Sequence, residues 1–122
     1  MTVYTVHQLK LNDEVYKAVN ELGHQGASDK FPIWAFKMDM FIVDENFSPL
    51  TDEQIGFYHP VCTIIAKDLE DVFRIGNIGP EENITYLTNR MHSMSGGDII
   101  VNNKTGEANM VASIGFNKVN FK

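Results

Sequence analysis

The most apolar run of the sequence, Val-Cys-Thr-Ile-Ile-Ala at residues 61–66, constrains the fold most strongly. A short run of this kind, rich in β-branched side chains, predicts a strand that is buried on both faces. A chain of 122 residues buries roughly two-thirds of its extended surface, which is enough for a core without covalent staples. Cys62 is the lone cysteine and lies inside the run. An intrachain disulfide is therefore excluded, and the thiol is predicted to be structural.

Two further stretches show the alternation of a β-strand. Residues 2–10 carry Val, Tyr and Thr and are partly apolar on both faces, which predicts a first strand in the centre of a sheet. Trp34, Phe36, Met38 and Met40 alternate with smaller or charged residues and lead into an apolar segment at 41–43. They predict a second strand with one strongly buried face. The alternative is an adaptable protein-binding surface, which methionine and tryptophan also suit.

The C-terminal third is predicted to hold a hairpin. Its strands cover residues 98–101 and 108–114, the turn lies at 102–106, and a strand-like stretch follows at 119–121. Residues 84–88 fit a strand and a helical turn equally well.

Helix signals are weaker. Asn12 or Asp13 can cap a helix of about ten residues that ends at Gly23, and residues 24–30 are predicted to form a loop. Asp68 begins a second helix that Gly76 is predicted to end. A single turn with a Thr51/Gln54 capping box lies between them. The predicted fold class is therefore α+β: a single domain over residues 1–122, with a mostly antiparallel sheet of about five strands and two short helices.

Net charge and hydropathy argue against several classes of binding partner. With 16 acidic and 10 basic residues the net charge is −6, which disfavours nonspecific binding to nucleic acid or to anionic lipid. No window approaches 18 apolar residues, and the N-terminus lacks a signal-peptide pattern. We therefore expect a soluble cytoplasmic protein without a membrane partner.

The four histidines give no metal-binding pattern. His7, His24, His59 and His92 lie far apart, and the sequence contains no CxxC or HxxxH motif. His7 is predicted on a strand face with Val3 and Leu9, and His59 in a loop. No metal and no cofactor are expected.

Residues 90–98 form the segment richest in chemically active side chains. The candidate binding residues are Arg90, His92, Ser93, Ser95 and Asp98, and Gly96-Gly97 lies among them. A catalytic interpretation makes His92 the base for a hydroxyl and uses the glycine amides for an oxyanion or phosphate. Adjacent residues of an extended chain point to opposite sides, however, and the spacing of a phosphate-binding loop is missing.

The structural interpretation of the same segment is simpler. The glycines form a turn, the serines satisfy loop amides, and Asp98 begins a strand with a side-chain bond to the turn backbone. Contact with a partner remains a third interpretation. No catalytic residue is assigned.

The order of features in the C-terminal half resembles the YodL-like domain of bacterial mobile elements. An acidic short helix is followed by an asparagine, an arginine, a His-Ser-hydrophobe-Ser stretch, an Asp-led apolar strand and a Ser-x-Gly-Phe ending. These features correspond to residues 68–73, Asn77, Arg90, 92–95, 97–101 and 113–116, and the opening strand is similar at residues 3–6. Ala112 departs from the pattern, which has an acid before the last serine.

The resemblance covers about half the chain and implies a context rather than a reaction. The family has no established enzymatic activity, so the expectation is a phage or mobile-element accessory protein in a bacterial cell. Its partner would be a host or phage protein, bound through residues 90–98. The alternative is a small enzyme, or a nucleotide- or nucleic-acid-binding domain, that uses the same loop.

Overall fold

A computed structural model describes residues 1–40, 50–88, 91–112 and 115–121, with a six-stranded antiparallel sheet in the order β3-β2-β1-β4-β5-β6. The α+β class is confirmed; the described residues hold six strands and four α-helices, more than the five and two predicted. In chain order the elements are β1 (Thr2–Leu9), α1 (Asp13–Lys30), α2 (Pro32–Met40), α3 (Asp52–Gly56), β2 (Tyr58–Ala66), α4 (Leu69–Ile78), a 3-10 turn (Glu81–Asn83), β3 (Ile84–Tyr86), β4 (Ile99–Asn102), β5 (Ala108–Val111) and β6 (Phe116–Val119).

Helices cover both faces of this sheet. Tyr4 and Val6 of β1 point into a core that contains Val72 and Ile75 of α4. Leu9 points into a second core, which α1 and α2 complete. β1 pairs with β2 on one side and β4 on the other, which confirms the predicted central strand. In the described part of the chain, no helix combines the length and apolar character needed to cross a bilayer.

β2 is buried less evenly than its composition predicts. Cys62, Ile64 and Ala66 are fully buried against α4, and burial raises the pKa of the Cys62 thiol to about 12. Ile65, on the other face, keeps 46% of its surface exposed. The predicted burial on both faces is wrong for this end of the strand, since Ile65 pairs with the exposed Val3.

α1 is longer than predicted and is kinked. Asn12 caps it through a bond from the Val15 amide, at 3.0 Å. Gly23 has a φ of 75°, which interrupts the first helical segment, as predicted for a C-terminal glycine. The predicted loop at 24–30 is wrong, because a second helical segment follows. The fully buried Ala27 fixes that segment against the core, and its carbonyl accepts from the Phe31 amide at 2.8 Å.

α2 replaces the predicted strand at residues 31–40. Trp34 and Phe36 are both buried although their directions differ by roughly 200° around the helix. A short helix that is packed on several sides shows no 3.6-residue pattern, so its sequence resembles a strand. Pro32 at the first helical position was the available signal. The predicted strand continuation at 41–43 lies outside the described residues.

The Thr51 capping box begins α3, and β4 and β5 form the predicted hairpin, which confirms both predictions. Residues 84–86, whose sequence fits a strand and a helical turn equally well, form the strand β3. The last strand begins at Phe116 rather than at Val119. α4 continues past Gly76 and ends at Gly79, whose φ of 98° requires glycine.

Candidate interaction site around residues 91–98

The predicted binding residues lie in very different environments. Residues 91–98 lead along the end of the sheet into β4. His92 and Ser93 are exposed, Ser95 is half-buried, and Asp98 keeps only 4% of its surface exposed. Arg90 lies outside the described residues.

Gln8 fixes the loop to the central strand. Its amide Nε2 donates to the His92 carbonyl at 2.9 Å and to Asp98 Oδ2 at 3.1 Å. Its Oε1 accepts from the His92 amide at 3.2 Å. The sequence reasoning missed this residue, although a signal was present. Gln8 follows Tyr4 and Val6 on the buried face of an alternating strand, where a polar side chain needs partners.

The buried Asp98 side chain stabilises the turn at residues 95–98. Its Oδ2 accepts from the Ser95 amide at 3.0 Å, which confirms the predicted bond to the turn backbone. Burial raises the pKa of this carboxyl to about 6. The bonds from Ser95 and Gln8 and the nearby charges of His92 and Lys37 oppose the shift. Asp98 is therefore a positioning group of the loop and does not face solvent.

Asn77 of α4 fixes the middle of the loop. Its Oδ1 accepts from the Met94 amide at 2.6 Å, and its Nδ2 donates to the Met94 carbonyl at 3.4 Å. The Met94 side chain lies directly against Gly76, where an added Cβ would be 2.6 Å from the sulfur. Glycine at 76 therefore allows the loop to approach the helix. α4 does not end there, because Gly76 has no positive φ and the helix is capped by Gly79.

Tyr58 and Gly97 fix the end of the loop. The Tyr58 hydroxyl donates to the Gly97 carbonyl, and burial followed by the nearby Asp98 charge raises the pKa of the phenol. The Gly97 amide donates to the Val111 carbonyl at 2.8 Å, and its φ of 97° requires glycine. Four elements, β1, α4, β2 and β5, thus hold the loop, while His92 and Ser93 are exposed.

This geometry does not assemble a nucleophile. His92 Nδ1 lies 3.0 Å from the Ser93 carbonyl oxygen and pairs with backbone there. Within residues 1–40, 50–88, 91–112 and 115–121, no three His, Cys, Asp or Glu side chains are close enough to hold a metal ion.

Two cavities lie on either side of the loop. A cavity of about 500 Å³ is lined by Tyr86, Leu87, Thr88 and Met91. A smaller cleft of about 100 Å³ has His92 on one wall and the connection from β1 to α1 on the other. The described residues that line the cleft are Leu9, Lys10, Leu11, Asn12, Tyr16, His59 and His92. His59 belongs to β2 and pairs with Gln8 in register, so its predicted loop position is wrong.

Comparisons of this chain with protein-family profiles, curated proteins and solved structures found no match. Two pairs of residues in the C-terminal half contact one another around the loop. Asn77 binds Met94, and Asp98 binds Ser95. Asn77 and Asp98 thus position the loop backbone, while His92 and Ser93 face solvent.

Proposed function

We propose that this protein is a non-enzymatic phage or mobile-element accessory protein of the bacterial cytoplasm that binds a host or phage protein. The binding surface, here called the loop surface, consists of His92, Ser93 and the cavity formed by Tyr86, Leu87 and Met91. The observation that carries the proposal is an exposed apolar cavity beside a loop that is held rigidly by buried polar side chains.

The apolar part of the loop surface is exposed to solvent. Tyr86 keeps 52% and Leu87 53% of its surface in solvent, and Met91 adds to the same cavity. Adjoining apolar side chains in solvent are typical of protein-interaction sites, where an aromatic anchor often supplies much of the binding energy.

The rigidity of the loop favours binding as well. Ordering a mobile loop on association costs free energy for each immobilised side chain and backbone segment. Here Gln8 and Asn77 already hold the backbone of His92 and Met94 before any partner arrives. His92 can therefore contact a partner without a large entropic cost.

The edge of the sheet offers a second element of recognition. Among the described strands, β3 is at the edge, and the Leu87 amide donates to the Val61 carbonyl at 2.9 Å. Since backbone groups alternate along an antiparallel strand, the amide and carbonyl of Tyr86 point away from β2. An extended partner segment can pair with these groups and place an apolar side chain in the cavity.

The experiment uses capture followed by affinity measurement. A tagged wild-type protein retrieves its partner from a host lysate, and the identified partner is then titrated against purified variants. Leu87→Ser, His92→Ala and Arg90→Ala are expected to weaken binding at least tenfold while leaving the fold intact. Leu22→Ser is the matched control, because Leu22 is 54% exposed but lies on α1.

Equal binding by the wild type, Leu87→Ser and His92→Ala would contradict the proposal. Turnover of a nucleotide or other small substrate that depends on His92 would favour the enzymatic alternative instead.

A further inference from the structure

We propose that the small cleft beside His92, here called the His92 cleft, binds a carboxylate, namely an acidic side chain of the protein partner. This inference rests on the proposed function for the source of the carboxylate. The cleft itself is argued from its lining, its size and the fixed position of its walls.

The lining is chemically one-sided. The polar side chains among its described lining residues can all donate hydrogen bonds, and none of these residues is acidic. They are Lys10, Asn12, Tyr16, His59 and His92. The described lining thus holds one ammonium and two imidazoles in a chain whose net charge is −6. Such a lining favours an anion.

The apolar part of the cleft strengthens this preference. Leu9 and Leu11 are 8% exposed and complete the wall. Charge-assisted hydrogen bonds are stronger beside apolar side chains than in open water, because solvent screens them less. Leu9 and Leu11 thus shield one side of a carboxylate in the cleft from solvent, while Lys10 itself is exposed.

The volume of the cleft is compatible with a carboxylate. A cleft of about 100 Å³ corresponds to about three water molecules at the volume each occupies in the liquid. A carboxylate, with three heavy atoms, fits within this space. Carboxylates are the anionic side chains of an unmodified protein partner, so the proposed function makes a glutamate or aspartate side chain the occupant.

The walls are held before binding. The Lys10 amide donates to the Phe57 carbonyl at 2.8 Å, and the His92 backbone is fixed by Gln8. The Tyr16 ring packs edge-on against Trp34 with 6.5 Å between centroids. Walls whose backbone is already fixed favour binding, since the backbone does not have to be ordered on association.

The cleft and the apolar cavity flank the same loop. Met91 lines the cavity and His92 lines the cleft, consistent with adjacent residues of an extended segment facing opposite ways. A partner segment that places an apolar side chain in the cavity can thus place an acidic side chain in the cleft.

Nuclear magnetic resonance tests the cleft without the partner. The imidazole signals of His92 and His59 are followed while capped glutamate, capped glutamine, acetate or phosphate is added at constant ionic strength. We expect saturable shifts with glutamate and acetate, none with glutamine, and tighter binding of glutamate than of phosphate. Lys10→Met should weaken glutamate binding at least fivefold. Lys17→Met is the control, since Lys17 lies on α1 outside the cleft and pairs with Glu21 at 3.9 Å.

Absence of a saturable shift with glutamate, or an equal response to phosphate, would overturn the proposal. Acetate binding as tight as that of acidic peptides from the partner would overturn the assignment to a protein side chain. If glutamate saturates the cleft but no partner is captured, the proposed function fails alone. If Lys10→Met binds the partner as tightly as the wild type does, the cleft assignment fails alone.

Discussion

Replacing Asp98 with asparagine tests the physical account of the buried carboxylate that positions the loop. The substitution keeps the shape of the side chain and an oxygen for the bonds from Gln8 and Ser95, but it removes the charge. The pKa of Asp98 is raised from 3.8 to about 6 in the folded protein. The folded state therefore binds a proton that the unfolded state has already released between pH 4 and 6.

The sign and size of the effect follow from this difference. Where the folded state binds more protons, stability falls as the pH rises. At about 1.4 kcal/mol per pH unit, raising the pKa of Asp98 from 3.8 to about 6 lowers the free energy of unfolding by about 3 kcal/mol once the carboxyl is ionised. About 2 kcal/mol of this decrease occurs between pH 4.5 and 7. Asp98→Asn removes this cost. Its stability relative to the wild type should therefore rise by about 2 kcal/mol across that interval.

Urea unfolding followed by circular dichroism at pH 4.5, 5.5 and 7.0 measures this difference. The comparison with the wild type is essential, because His7 contributes with the opposite sign. Burial and the nearby His59 lower the pKa of His7 to about 4, so its contribution to stability is lost as the pH falls from 6.5 to 4. A stability difference between Asp98→Asn and the wild type that is constant with pH would refute the reasoning.

Three further predictions concern the residues around the loop. His7→Gln should remove the contribution of His7, which increases the unfolding free energy as the pH rises. The unfolding free energy of the variant should therefore fall between pH 4.5 and 6.5, and a rise over this interval would contradict the prediction. Asn77→Ala should lower the free energy of unfolding by about 1–3 kcal/mol and speed hydrogen exchange at the Met94 amide, since both backbone groups of Met94 lose their partner. Unchanged exchange would show that Asn77 does not hold the Met94 backbone. Gly76→Ala should lower the free energy of unfolding in urea by about 1 kcal/mol, because the added Cβ would contact the Met94 sulfur. An increase in this free energy, as is usual when alanine replaces glycine in a helix, would show that the Met94 side chain moves aside.

Strands were predicted correctly where β-branched residues and a two-residue apolar alternation occur together. Residues 2–10 combine β-branched side chains with alternation, and the structure places them in the central strand. The same reasoning failed for α2, because Trp34, Phe36 and Met38 alternate by chance along a helix that packs on several sides. β-branched residues are scarce there, and Ala35 and Lys37 are good helix formers. Composition was the better guide than period in this segment.

The candidate site shows the same division between local and distant information. The bond between Asp98 and the turn could be predicted because its partner lies three residues away. Gln8 bonds to His92 and Asp98, which are 84 and 90 positions away in the sequence, so no local sequence pattern predicts these bonds. The His92 cleft likewise combines residues from β1, α1, β2 and the loop, which only the fold brings together.

The central position of β1 has a consequence for how the protein is made. β1 is synthesised before both of its partner strands, since β2 begins at Tyr58 and β4 at Ile99. At about 5–20 residues per second, β1 waits several seconds for β2 and on the order of 5–20 seconds for β4. During that interval both edges of an apolar strand can pair with other chains. The nascent protein is thus most vulnerable to aggregation before its last third emerges, and its yield in cells should respond to translation speed and to chaperones that hold unpaired strands.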